Sequence, residues 1–222
     1  MRLPRFNADD HAAPSRWPTS RPAGAAIVAL LCVSLLCGLG TAVPWRTAID
    51  VSGNELPLEF RMTRASDGKQ VSEADYRGHV VMIYFGYTNC PDLCPMTLLN
   101  VAAVVKRLGA DAPRIQVLFV AVDPERDTLS VLEKYVKSFG PQVDGLRGTQ
   151  DELAALAGRY HAAYSVTPAT KDHPYEVTHS AVIYVFDATG AARLLIPSLS
   201  DAKPDIAGTA SDLKRLIDGT KS

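Results

Sequence analysis

Val80-Val81-Met82-Ile83-Tyr84-Phe85 is a near-continuous apolar run, the pattern of a strand buried on both faces. Ile115 to Val122 is a second such run. Between them, Pro95 to Leu108 is apolar and helical in character, with Lys106 and Arg107 in its last turn and Gly109 as its stop. Strand, helix and strand make a β-α-β unit. The two strands are therefore expected to be parallel.

Leu58 to Met62 and Lys69 to Val71 flank Ser66-Asp67-Gly68 and read as a small hairpin. Leu129, Leu132, Val136 and Phe139 share a helical face that Gly140-Pro141 ends. Thr149 and Glu152 form a capping box ahead of Leu153, Leu156 and Tyr160. Ala181 to Phe186 and Ala192 to Ile196 flank Asp187-Ala188-Thr189-Gly190, a second hairpin, and Ile206, Ala210, Leu213 and Ile217 mark a closing helix. The expected fold class is α/β with a thioredoxin-like order of elements. A central mixed sheet flanked by helices would occupy residues 58–220.

No charge occurs between Pro22 and Trp45, a run of roughly twenty mostly apolar residues, about the length that spans a bilayer. Arg2, Arg5, Arg16 and Arg21 precede it against Asp9 and Asp10, which keeps the short tail in the cytoplasm. Residues 1–22 are thus expected to be a cytoplasmic tail, 23–45 a transmembrane anchor and 46–57 a stalk. A cleaved signal peptide is the alternative, with Gly40 and Ala42 as small residues before the cut. Lipid attachment at Cys32 or Cys37 is disfavoured by the Leu31 and Leu36 before them; inside a span both cysteines act as small hydrophobes. The domain is expected to face the periplasm from an inner membrane, or the mitochondrial intermembrane space in a eukaryote. Asp9 and Asp10 are unusual for a transit peptide. The net charge of -1 gives no basic footprint for nucleic acid.

Beyond the membrane only Cys90 and Cys94 remain, too few for a disulfide scaffold. Ligands of open α/β sheets bind beyond the carboxyl ends of the parallel strands. Cys90 and Cys94 follow the first strand there, and Asp123-Pro124 follows the second. If the strand from Ala181 runs antiparallel to both, His179 just before it reaches the same edge. Pro91 and Pro95 place the cysteines across a loop and a helix start, whose unpaired N–H groups favour thiolate. Soft sulfur selects Cu(I), and imidazole also suits copper. Three other chemistries stand beside this one. A structural disulfide is one. A dithiol reductase normally has C-x-x-C, and a zinc site usually wants four ligands.

Tyr84-Phe85-Gly86-Tyr87-Thr88 leading into Cys90-Pro91-Asp92-Leu93-Cys94-Pro95 resembles the signature of the Sco/SenC family. Val122-Asp123-Pro124-Glu125-Arg126-Asp127-Thr128 is similar to its second motif, and Tyr175-Glu176-Val177-Thr178-His179-Ser180 to its third. The resemblance implies a membrane-tethered copper chaperone, with Cys90, Cys94 and His179 as the ligands of Cu(I) or Cu(II). It implies a partner, the copper-site subunit of cytochrome c oxidase or another copper-requiring recipient, whose binuclear copper centre it helps assemble. A thiol-disulfide oxidoreductase, acting with a thiol reductant partner on the recipient's cysteines, is the alternative, with Cys90 and Cys94 as its redox pair. Thioredoxins usually carry Pro before the strand that His179 precedes here, which leans toward metal. A peroxidase of related fold would need Thr where Tyr87 stands. Asp123 matches an acidic position near the family's site. Thr178 departs from the family, which commonly has Asp before the histidine; a carboxylate there would orient the imidazole or the partner. His173 is a candidate auxiliary ligand, while Met96, Tyr84, Phe85 and Tyr87 are expected to pack and His161 to be structural. His79 and His11 have no cysteine nearby in sequence.

Overall fold

A computed structural model describes residues 44–54 and 56–219. The expected tail and all of the expected anchor before Pro44 lie outside the described residues. Among the described residues, no helix is long and apolar enough to cross a membrane. The chain runs β1 (Ile49–Asp50), β2 (Arg61–Arg64), β3 (Gln70–Ser72), β4 (Val80–Gly86), α1 (Leu93–Arg107) and β5 (Ile115–Ala121). It continues through α2 (Leu129–Lys137), β6 (Val143–Arg147), α3 (Gln150–Arg159), β7 (Tyr164–Thr167) and β8 (Glu176–His179). β9 (Ile183–Phe186), β10 (Ala192–Ile196) and α4 (Ile206–Gly219) complete it.

Eight strands form one mixed sheet in the order β1-β10-β9-β4-β5-β6-β2-β3. Every residue of β4 is buried, as an apolar run without alternation requires. Its side chains still alternate between two cores. Val80, Met82 and Tyr84 join Leu98, Val101 and Val104 of α1 and Leu213 of α4. Val81, Ile83 and Phe85 face the other way, toward Leu153 and Leu156 of α3. This is the expected α/β, thioredoxin-like layering, with helices on both faces of a mixed sheet.

Parallel pairing of β4 with β5, and antiparallel pairing of β9 with β4, are both as expected. Three features differ from the sequence reading. β6 holds Asp144 and Gly145, so it shows no apolar run; it pairs through its backbone with β5. A Cβ at Gly145 would sit 2.6 Å from Leu132 Cγ, so that strand needs a glycine where α2 presses on it. β7 and β8 form a separate two-stranded sheet. Third, residues 46–57, read as a stalk, hold a segment docked on the domain: Arg46 N and Thr47 N donate to buried Asp212 at 2.9 and 2.8 Å, and β1 pairs with β10.

Candidate metal centre

α1 begins two residues earlier than expected, so Cys94 and Pro95 both lie in its first turn. Proline is tolerated there because N–H groups of a first turn have no intrahelical acceptor. Asp92, at the N-cap, makes no side-chain cap. Instead Cys94 N donates to Cys90 Sγ at 3.3 Å, and a sulfur takes the role usually given to a capping oxygen. Gly86 makes room behind the pair. A Cβ at that position would meet the Phe119 ring at 2.6 Å and Cys94 Sγ at 3.0 Å.

His179 reaches the same place from the end of β8, because β9 runs antiparallel to β4 and returns the chain to that edge. Its Nε2 lies 3.2 Å from Cys94 Sγ. Its Nδ1 is 3.0 Å from Ser180 O. A carbonyl only accepts, so Nδ1 carries the proton and Nε2 turns its lone pair to the sulfur. The donor atoms of Cys90, Cys94 and His179 all lie within 4.8 Å of one another. Cys90 and His179 line an open cleft of about 300 Å³ with Tyr87, Pro91 and Thr178, while Cys94 is fully buried behind them.

Burial sets the electrostatics. It pushes the Cys94 thiol up to about 12, against hydrogen bonds that work the other way. At Cys94 burial therefore opposes the preference for thiolate that a helix start gives. Burial also lowers the pKa of His179, which keeps the imidazole neutral and its lone pair free.

Several residues expected only to pack do more. The rings of Tyr84 and Tyr87 stand edge-on to the imidazole, with centroids 5.9 and 5.8 Å away. Thr178 points to the opposite side of β8 from His179 and pairs with Ser165 across the hairpin at 2.8 Å. Ser180 O and the two tyrosine edges therefore orient the imidazole without a carboxylate at 178. His173 is exposed on the loop joining β7 and β8, and the cluster does not include it. His161 takes a φ of 54° just past α3 and serves the turn there. His79 enters β4 at the end remote from the cysteines. Met96 is half-buried on the first turns of α1.

The loop after β5 holds both halves of the site; the sequence places Asp123 at this edge, as expected, but gives no sign of the part Asp127 plays. Asp127 is fully buried and accepts from Thr88 N at 3.2 Å and Thr88 Oγ1 at 2.6 Å, two residues before Cys90. Asp123, also buried, accepts from Tyr175 OH at 2.9 Å and is ion-paired to Arg126. Asp123 thus faces its own protein with both oxygens.

The SCO1/SenC family model matches residues 52–217. The protein SCO2 homolog, mitochondrial, of Bos taurus is 41% identical over 125 residues, 55% of this chain and 47% of the bovine protein. This chain spans about half the length of the curated relatives it matches. Bradyrhizobium japonicum ScoI, solved with copper bound, is 35% identical with a TM-score of 0.63, covering 72% of this chain and 99% of that one. Yeast Sco1 with copper bound is 30% identical with a TM-score of 0.63, covering 72% and 89%. With the family pattern running through all three sequence motifs and nearly the whole sheet, this chain belongs to the SCO1/SenC family.

Proposed function

We propose that this protein is a copper carrier, holding the metal through Cys90 Sγ, Cys94 Sγ and His179 Nε2 and passing it to a recipient. The observation that carries the reading is the meeting of two sulfurs and an imidazole nitrogen within 4.8 Å. Thiolates are soft donors that select Cu(I), and a neutral imidazole completes a set of low coordination number. Such a site exchanges its cargo through the cleft, where Cys90 and His179 are exposed to an incoming ligand and Cys94 is not. Copper-bound relatives of the same fold support the choice of metal. The recipient is the copper-site subunit of cytochrome c oxidase or another copper-requiring protein, and the activity is assembly of its binuclear copper centre. Residues 23–45 anchor the chain in an inner membrane, supported by the charge-free run before Trp45. Residues 58–220 then face the periplasm, or the intermembrane space in a mitochondrion.

The test is a titration of the reduced full-length protein with Cu(I) against a competing chelator. A single Cu(I) per chain is expected, abolished by Cys90→Ser or Cys94→Ser and weakened by more than about 100-fold in His179→Ala, since even groups behind the ligands carry about 10- to 100-fold. Unchanged affinity in His179→Ala would sink the assignment.

A second reading is thiol-disulfide exchange, favoured by two free cysteines with a half-exposed member in front. Cys90 sulfur attacks a recipient disulfide and one recipient sulfur leaves as thiolate. Cys94 then closes the internal disulfide, releasing the second, so two electrons pass to the recipient. His179 Nε2, 3.2 Å from Cys94, accepts the resolving thiol's proton. Deleting the gene and assaying copper in the oxidase separates the two readings. Added copper rescues a lost carrier and does not rescue a lost reductant.

A further inference from the structure

We propose that Asp123, Arg126 and Tyr175 form a latch that pins β8 to the body of the domain and sets how readily His179 leaves the cysteine pair. The release part of this inference rests on the copper reading above; the latch itself does not. Side chains alternate along β8 and the residue before it. Tyr175, Val177 and His179 lie on one face and are half-buried, while Glu176 and Thr178 are exposed on the other. That inward face therefore carries Tyr175, immediately before β8, at one end and His179 at the other, their Cα atoms ~13 Å apart at strand rise. Among the described residues β8 pairs with β7 alone and adds no strand to the main sheet. What holds it down must come from side chains and loop ends.

The attachment at the Tyr175 end is a built one. Asp123 is 1% exposed, accepts the Tyr175 hydroxyl at 2.9 Å on Oδ1 and pairs with Arg126 on Oδ2. The Arg126 guanidinium lies over the Tyr175 ring, 3.8 Å from its centroid, so the same cation holds the carboxylate and the ring. Asp127 N donates to Asp123 O at 2.9 Å, which joins the latch to the carboxylate that holds Thr88 and the cysteine loop. The strand that presents His179 and the loop that presents Cys90 are thereby tied to a single turn. Releasing Tyr175 frees the histidine arm and leaves the cysteine arm in place, which is the asymmetry a carrier needs to open its site from one side.

Tyr175→Phe removes the hydroxyl and keeps the ring under Arg126. Glu176→Gln, one residue on and facing outward, is the control. In the metal-free protein, amide hydrogen exchange of residues 176–180 is expected to rise about tenfold in Tyr175→Phe, the effect of one hydrogen bond to a charged acceptor. Exchange in β4 and β5 should not change, which also shows that the variant folds. Loss of Cu(I) to a competing chelator should quicken by a similar factor, while Glu176→Gln matches the parent in both measurements. Exchange in Tyr175→Phe equal to that of the parent, or raised equally by Glu176→Gln, would overturn the latch. A parent protein that takes up no Cu(I) would defeat the copper reading, and the exchange measurement would still decide the latch.

Discussion

The junction of β4 and α1 and the hairpin of β7 and β8 each deliver part of the same site, and they are built on opposite principles. The first is buried on every side: β4 has neighbours on both edges, and Leu98 and Val101 of α1 are essentially without exposure. The second is a two-stranded sheet whose residues are all half-buried or exposed. Isolated hairpins of that size are marginal in water, so its geometry depends on what it touches. Cys94 is thus fixed by packing, and the imidazole by a handful of polar contacts and ring edges. A metal held across such a boundary can be kept by the rigid half while the other half yields.

Core truncation measures this difference most directly. Leu98→Ala should cost about 2–5 kcal/mol of unfolding free energy, the range for a large-to-small change at a closed site. Val177→Ala, on the half-exposed strand, should cost under about 1 kcal/mol, because it starts with less area to lose. Denaturant titration with unchanged slope checks both. Equal costs would mean that the hairpin is as much a part of the core as α1.

The two cysteines extend the contrast into chemistry. In reduced, metal-free protein, alkylation at pH 8 should label Cys90 at least about 100-fold faster than Cys94, since only the thiolate reacts and Cys94 is buried. The pH course carries the sign. With its thiol raised to about 12 by burial, Cys94 should react about tenfold faster for each unit of rising pH, without a plateau below pH 10. Mass spectrometry after timed quenching reads both rates. A plateau near neutral pH would show that the helix N-terminus prevails over desolvation.

How much of this was legible beforehand follows from the same contrast. β4, α1 and β5 announce themselves because burial on both faces leaves an unbroken apolar run, and the cysteines are placed by the proline at each end of their loop. His179 was reachable through one topological step, the antiparallel return of β9. The hairpin was not, because its strands are only four residues long and Ser165, Thr167, Glu176 and Thr178 leave them no apolar run. Tyr175 and Asp123 are 52 residues apart, and nothing local to either announces the other. At Cys94 the helix start, a local feature, argues for thiolate, while burial, a property of the whole fold, argues against it.

Asp127 offers a test on the cysteine side of the boundary. Burial raises its pKa above the ordinary carboxylate value, with the Thr88 hydrogen bonds opposing. The folded state therefore holds a proton that the unfolded state has already lost, over the window from 3.8 up to the folded value. In that window the native protein binds more protons, so its stability falls as pH rises. Asp144 is raised by burial too and adds a slope of the same sign. Asp127→Asn should flatten the stability profile between acid and neutral pH without abolishing the slope. Parallel profiles for parent and variant would show that the carboxylate is charged in the fold at no cost.

The smallest effect is expected at Thr178, where the third motif departs from the pattern it resembles. Thr178→Asp supplies the carboxylate that the resemblance implies, which on sequence grounds ought to reorient the imidazole. On β8, however, residue 178 points away from residue 179, and its hydroxyl is 2.8 Å from that of Ser165. The imidazole is already held through Nδ1 by Ser180 O. A carboxylate at 178 would accept from Ser165 on that outer side, leaving the Nε2 to Sγ geometry as it is. Cu(I) affinity should change by less than about threefold, the scale of an exposed charge near a site. A larger gain in Thr178→Asp, lost again when Ser165 is changed to Ala, would mean that the hairpin twists when loaded and brings residue 178 round to the ring.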